Sequence, residues 1–285
     1  ASVLAQWPQA RVLGVTATPA RLDGKGLGQV FDDLIRGPED TKLIDDGYLC
    51  KPVYYAPKTV SMDGVHKVAG DFNRAEVAER MDKPTITGDA VTHYRKYAEG
   101  QPCIVFCTGI KHAENVAAAF NASGYRFKVI DGTLAKEERA ARVAALGSGQ
   151  LHGLVSVDIV SEGFDLPCVA VAILLRPTAS LSLHLQQIGR VLRPAPNKPR
   201  AVILDHVGNC RRHGLAEEVR DWSLDGIRKR RGKRGPQDDV ADTRQCPECF
   251  AVHTPSPTCP QCLHVYEIKD RIPDVVDGEL EELKA

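Results

Sequence analysis

The sequence has no excess of either charge: Lys and Arg together number 37 over 285 residues, and Asp and Glu also 37. A neutral balance offers no global argument for a polyanionic partner, so any grip on nucleic acid must come from local clusters. No apolar run approaches the roughly 20 residues that a membrane-spanning helix needs. The opening stretch "ASVLAQWPQARVLG" has neither the basic start nor the apolar centre of a signal peptide, and it has no initiating Met. These absences predict a cytoplasmic protein with no membrane partner, read as a processed or truncated product. In that setting nine cysteines favour metal ligation and free thiols over disulfides.

What is present is mostly ordinary for a globular protein, with 43% hydrophobic and 26% charged residues. The local distribution is less even. "RKRRGKR" at 228–234 is a basic cluster, and "VVDGELEEL" near the C-terminus is acidic. Five cysteines, Cys50, Cys103, Cys107, Cys168 and Cys210, are scattered, and the pair in "CIVFC" reads as small buried hydrophobes.

From 101 to 207 short β-rich runs alternate with helical patterns. The strand candidates are "CIVFC" (103–107), "FKVID" (127–131), "LVSV" (154–157), "VAVAILL" (169–175) and "AVILD" (201–205). Their continuous apolarity suits strands covered on both faces. Between them, "KHAENVAAAFNASG" sets Ala113, Val116, Ala117 and Phe120 at helical spacing, and "AKEERAARVAALGSG" closes on glycines. Strand, helix, strand, repeated, predicts an α/β domain: a parallel sheet with helices on both faces.

The rest divides around that domain. "ARVLGVTATPAR" (10–21) reads as one more buried strand ending in a turn, a remnant, within residues 1–37, of another domain. Residues 38–87 read as interdomain connection, 88–207 as the α/β domain, 208–243 as a charged linker, 244–268 as a cysteine module and 269–285 as an acidic tail.

"SLSLHLQQIGRVLR" (180–193) opens on a serine suited to capping a helix and stops before Pro194. Leu181, Leu185, Ile188 and Leu192 fall on one stripe, with Gln186, Gly189, Arg190 and Arg193 roughly 130° away. The second face offers a glutamine, two guanidiniums and a glycine that admits close approach. Spacing alone also fits a solvated polar face. Guanidinium, however, is the group suited to gripping phosphate across an interface.

This stretch resembles motif VI of superfamily 2 helicases, Q-x-x-G-R-x-x-R, at Gln186, Gly189, Arg190 and Arg193. "VSVDIVSEGFDLP" (155–167) resembles motif V through Gly163, Asp165 and Pro167, "GVTATP" (14–19) motif III, and "IVFCTGIKHAE" (104–114) motif IV. The four occur in the family's order. "GYLCKP", "LDHVGN" and the paired cysteines resemble RadD-like DNA helicases. The resemblance implies a RecA-like C-terminal helicase domain, and ATP with Mg²⁺ held in the intact parent between it and a first RecA-like domain. It also implies nucleic acid as partner, DNA favoured over RNA, in bacterial or phage cytoplasm near the nucleoid.

Residue by residue, the resemblance implies catalytic roles for Arg190 and Arg193 at the γ-phosphate and for Gln186 beside it. Nucleotide contacts fall to Gly163, Asp165 and Gly189, coupling to Thr16 and Thr18, and backbone contact to Thr108. Val157 stands where many members carry threonine. Neither G-x-x-x-x-G-K-[ST] nor an acidic D-E-x-H box occurs, and "LDGKGLGQV" (22–30) reads as a loop. The expectation is that this chain alone hydrolyses no ATP while its parent is an ATP-dependent helicase of repair or recombination. A non-catalytic nucleic-acid or protein adaptor and an RNA helicase are the alternatives.

"CPECFAVHTPSPTCPQC" places Cys246, Cys249, Cys259 and Cys262 as two C-x-x-C knuckles. Two thiolates from each fill a tetrahedral shell, which predicts structural Zn²⁺, with a rubredoxin-like iron site as the alternative. His253 and His264 read as bystanders. So short a module should unfold without metal, the loss being limited to the tail. It is read as a docking point for DNA or a protein partner.

Overall fold

The computed structural model describes residues 6–7, 9–19, 26–56, 62, 64–68, 70–81, 84–158, 166–225 and 243–267. The basic run at 228–234 and the acidic tail lie outside the described residues. So do Gly163 and Asp165.

The domain is organised on five parallel strands: β4 (Cys103–Cys107), β5 (Phe127–Ile130), β6 (Gly153–Val157), β7 (Val171–Leu174) and β8 (Ala201–Asp205). β1 (Pro52–Tyr55) joins them, and the spatial order across the sheet begins β5-β6-β4-β7-β8-β1. Every pair in that run is parallel, and β4, β6, β7 and β8 are buried at every position. The unbroken apolar runs therefore form strands with both faces covered, as their sequence predicts.

Helix α1 (Asp40–Asp45) precedes β1, while a two-stranded hairpin, β2 (Lys67–Val68) and β3 (Asp71–Phe72), with α2 (Arg74–Met81), follows it. Next come α3 (Pro84–Ala98), α4 (Ile110–Ala122), α5 (Lys136–Gly147), α6 (Leu181–Gly189) and α7 (Asn209–His213). Helix α4 buries Ala113, Val116, Ala117 and Phe120, the stripe its spacing predicts. Phe120 stacks on Phe127 at 4.1 Å between centroids, and Tyr94 of α3 meets both rings edge-on. Among the described residues no helix is long and apolar enough to cross a membrane.

Three sequence readings change. Residues 10–16 are not a buried strand: they run as coil, with Leu13 and Val15 about nine-tenths exposed, because no strand among the described residues lies beside them. Residues 38–87, read as a connection, supply β1, which sits inside the sheet and pairs β8 in parallel. The cysteine module is no separate tail either. Its strands β9 (Arg244–Gln245) and β10 (Ala251–His253) extend the same sheet, β10 pairing β1 antiparallel. Eight strands result.

Gly153 lies opposite Phe127 in the β5–β6 register. A Cβ built there would fall well inside contact distance of the Phe127 ring, so the aromatic occupies the space the glycine leaves. Gly153→Ala should cost about 1–3 kcal/mol by overpacking, read as a lower denaturant midpoint with unchanged slope.

Two buried histidines and one half-buried one set a pH limit. Burial, reinforced by His93, lowers His206 to about 3, and burial lowers His213 to about 4. His184, wholly buried beside His213, is also held well below the ordinary range by burial. Their folded values lie below the unfolded value of about 6.5, so the unfolded chain binds more protons and stability falls as pH drops. The loss begins near pH 6.5 and continues toward about 4 for His213 and about 3 for His206. The melting temperature should therefore fall between pH 7 and 5, and His206→Leu should flatten that slope.

Candidate nucleotide and nucleic-acid edge

The connection after β4 leads leftward in the sheet order, to β5, while that after β7 leads the other way, to β8. Such a reversal between neighbouring parallel strands opens a crevice beyond their C-terminal ends, the place where open α/β sheets bind ligands. Here the crevice is lined by Thr108 after β4, Arg176 and Pro177 after β7, and Asp71, Phe72 and Arg74 from the hairpin and α2.

Charge is concentrated there. Asp158, directly after β6, accepts from Arg74 at 2.7 Å and from Arg176 at 2.5 Å. Its left-handed backbone, φ 56°, is one that aspartate tolerates and most residues avoid. Asp71 accepts from the Thr178 hydroxyl at 2.9 Å and the Ala179 amide at 2.6 Å, with Arg176 at 3.6 Å. The β2–β3 hairpin therefore lays a carboxylate across the start of α6. The Thr108 hydroxyl meets His112 Nδ1 at 3.0 Å within α4's first turn.

The loop 176–180 is braced from beneath. Asn209 accepts the Thr178 amide and donates to the Arg176 carbonyl, at 3.1 and 3.0 Å. Arg212 donates to Asn209 and the Thr178 carbonyl, which His213 also contacts. Asp205, fully buried, accepts the amides of Val207 and Cys210 and so caps α7. These residues belong to "LDHVGN" and its continuation, which gives that stretch a physical task.

Ser180 caps α6 as its sequence predicts, its hydroxyl accepting the Leu183 amide. The helix is rotated, however. His184, Gln187, Ile188 and Val191 are fully buried, whereas Leu181 and Leu185 are only half-buried. The buried stripe lies roughly 70° from the leucine stripe. The cause is local: segment 209–216 covers this side, and His184 Nε2 bonds the Gly214 carbonyl at 3.2 Å. A polar ring is thereby seated where periodicity alone would put leucine.

The polar face keeps its predicted neighbours. Gln186 is exposed, and Gly189, Arg190 and Arg193 are half-buried. A Cβ on Gly189 would meet no described atom within 4 Å, so packing within the described chain does not require glycine. Thr16 and Thr18 bond each other in a short turn, Thr18 buried and Thr16 exposed. Gly163 and Asp165 fall in the undescribed segment 159–165, between Asp158 and Leu166.

Sequence reading missed Asp71, Arg74, Asp158, Arg176 and Lys198. Lys198 bonds the Pro167 and Arg193 carbonyls. Most of these contacts join residues far apart in the chain, up to 108 positions for the Asp71–Ala179 bond, and each residue alone looks like an ordinary surface charge.

The four thiols of Cys246, Cys249, Cys259 and Cys262 converge within 4.8 Å of one another. Cys246 and Cys262 stand 3.6 Å apart, Cys249 and Cys259 3.7 Å. A tetrahedron with metal–sulfur bonds of about 2.3 Å has edges of about 3.8 Å, so the donor set fits one tetrahedral ion. His253 is engaged elsewhere, by Tyr266 at 2.8 Å and the Thr254 carbonyl. The module is stitched to the sheet edge. The Ala56 amide donates to Phe250, Gln245 donates back to the Ala56 carbonyl, and the Tyr97 hydroxyl donates to the Cys249 carbonyl at 3.3 Å.

Comparison with known proteins places this geometry. The helicase conserved C-terminal domain family matches residues 83–195. A 51.5 kDa protein of a Lactococcus phage is 33% identical over 91% of this chain, which covers 57% of that protein. IRC3 of Saccharomyces cerevisiae, named as an ATP-dependent helicase, is 26% identical over 69% of this chain, 29% of its own length. The chain thus spans well under two thirds of either relative. Among solved structures, a fragment of an HsdR-type subunit of a type I restriction enzyme from Vibrio vulnificus shares the fold. Its TM-score is 0.62 at 20% identity over 75% of this chain and 42% of that one. By its motifs, its parallel sheet and its relatives, the chain carries at residues 83–195 a helicase conserved C-terminal domain of the superfamily 2 type.

Proposed function

We propose that this chain is the C-terminal half of a motor that couples ATP hydrolysis to movement on DNA. The observation that carries the reading is the gathering of motif elements on one sheet edge. Thr108 follows β4, Asp158, inside the stretch resembling motif V, follows β6, and the arginine helix α6 follows β7. ATP with Mg²⁺, held by a first RecA-like domain of the parent, supplies the phosphoryl group transferred to water. Arg190 and Arg193 face that nucleotide across the domain cleft, one as arginine finger, with Gln186 beside the same phosphates. Gly163 and Asp165 take the edge of the nucleotide, and Gly189 leaves room for it. Thr16 and Thr18 couple phosphate state to closure, and Thr108 with Arg74 and Arg176 offers phosphate contacts for the strand.

DNA is favoured over RNA by the RadD-like stretches, and a bacterial or phage cytoplasmic setting by the phage relative. A role in repair or recombination follows from the same stretches. Binding assays on branched DNA, single strands and RNA decide between substrates; preference for RNA would overturn the DNA assignment.

Without the phosphate-cradling lysine and Mg²⁺ ligands, the 285-residue chain should show no nucleic-acid-stimulated ATP turnover. In the parent polypeptide, Arg190→Ala should lower turnover by about 10³-fold or more if Arg190 is the finger. Gly189→Ala should also lower turnover yet leave the melting temperature unchanged or higher, because no described atom crowds that position.

The cysteine module takes one structural Zn²⁺ on Cys246, Cys249, Cys259 and Cys262, leaving no open position for catalysis. Elemental analysis should find one zinc per chain; iron in its place would select the rubredoxin-like reading. Because β10 pairs β1, chelation should raise amide exchange not only in the module but also at Val53–Tyr55, inside the sheet.

A further inference from the structure

The guanidiniums of Arg190 and Arg193 must be presented in a fixed register, yet the helix ends at Gly189 and the carbonyls of the segment that follows it need partners from elsewhere. Two groups take them up. The Cys50 amide, just ahead of β1, donates to the Leu192 carbonyl at 2.7 Å. The Lys198 ammonium donates to the Arg193 carbonyl at 2.6 Å and, at 2.9 Å, to the carbonyl of Pro167. Pro167 closes the segment resembling motif V, and Arg193 closes the one resembling motif VI. One buried side chain therefore joins the ends of both.

The chemistry suits that task. An ammonium carries three donors on a flexible stem, so it can satisfy two carbonyls that do not share a plane. Burial lowers the Lys198 pKa, which marks the cost of keeping this cation out of water. Cys50 completes the junction, its thiol lying 3.6 Å from both the Arg193 and Lys198 carbonyls.

We infer that Lys198 is a positioning residue: it locks the exit of the motif V segment to the segment that follows the arginine helix, and so sets the register of Arg190 and Arg193. The role in turnover rests on the motor reading proposed above; the lock itself does not. Lys198→Met keeps the length of the stem and removes the donors, whereas Lys198→Arg keeps donors in place.

The first arm uses the 285-residue chain and amide hydrogen exchange. In Lys198→Met, exchange should quicken at least about tenfold in peptides spanning 166–169 and 190–193, with β4 unchanged. Lys198→Arg should recover most of that protection. Uniform loosening across the sheet, or no change at those peptides, overturns the lock. The second arm measures ATP turnover in the parent polypeptide. There Lys198→Met should lower kcat by about 10²-fold, as expected for a misplaced catalytic group, with KM for ATP altered less than threefold. Lys198→Arg should restore most of kcat. Loosened peptides with unchanged kcat overturn the positioning role. A wild-type parent without turnover sinks the motor reading instead, and the exchange arm still decides the lock.

Discussion

The structure depends on one constraint, the parallel ladder on both sides of β4. That strand is hydrogen-bonded to β6 along its left edge and β7 along its right, every residue buried. Because the chain leaves β4 in one direction and β7 in the other, neither of those two connections crosses the gap between their C-terminal ends. The crevice there is a consequence of topology before any side chain is considered. Side chains then give it chemistry. Asp158 receives two arginines, Asp71 receives a hydroxyl and an amide, and Thr108 stands at the rim.

The second feature is how much of the chain outside the α/β core is recruited to brace that edge. Segment 209–216 holds the loop 176–180 from below and turns α6 by bonding His184. The hairpin 67–72 closes over it from above. Cys50 and Lys198 tie down the segment that follows the arginine helix. The cysteine module, which in sequence looks detachable, extends the ladder past β1, the strand that follows Cys50. A perturbation at the thiolates and one at the arginine helix thus meet within a few residues of β1.

Legibility followed the range of the interactions. The five core strands and the buried stripe of α4 could be read because their signals are local: continuous apolar runs, helical spacing and terminal glycines. The serine cap of α6 and the convergence of the four cysteines were readable for the same reason. The strand expected within 10–21 does not form over 10–16 because a strand is stable only beside another, and no strand among the described residues lies there. β1 was missed because four residues that begin on a proline, between Lys51 and Ala56, carry little periodicity of their own. Its burial comes from β8 on one side and β10 on the other.

The sequence by itself determined the α/β class, the order of the motif segments, the polar face bearing Gln186, Arg190 and Arg193, and the metal-fitting cysteine set. These rest on patterns readable over short stretches, the longest being the cysteine set, whose paired thiols lie 10 and 16 residues apart. Only the tertiary structure decided which face of α6 is buried, that β1 and the cysteine module complete one sheet, and that Asp71, Arg74, Asp158 and Arg176 meet. Those outcomes need groups distant in the chain to satisfy one another's charges and backbone donors, and no local pattern encodes which distant partner arrives.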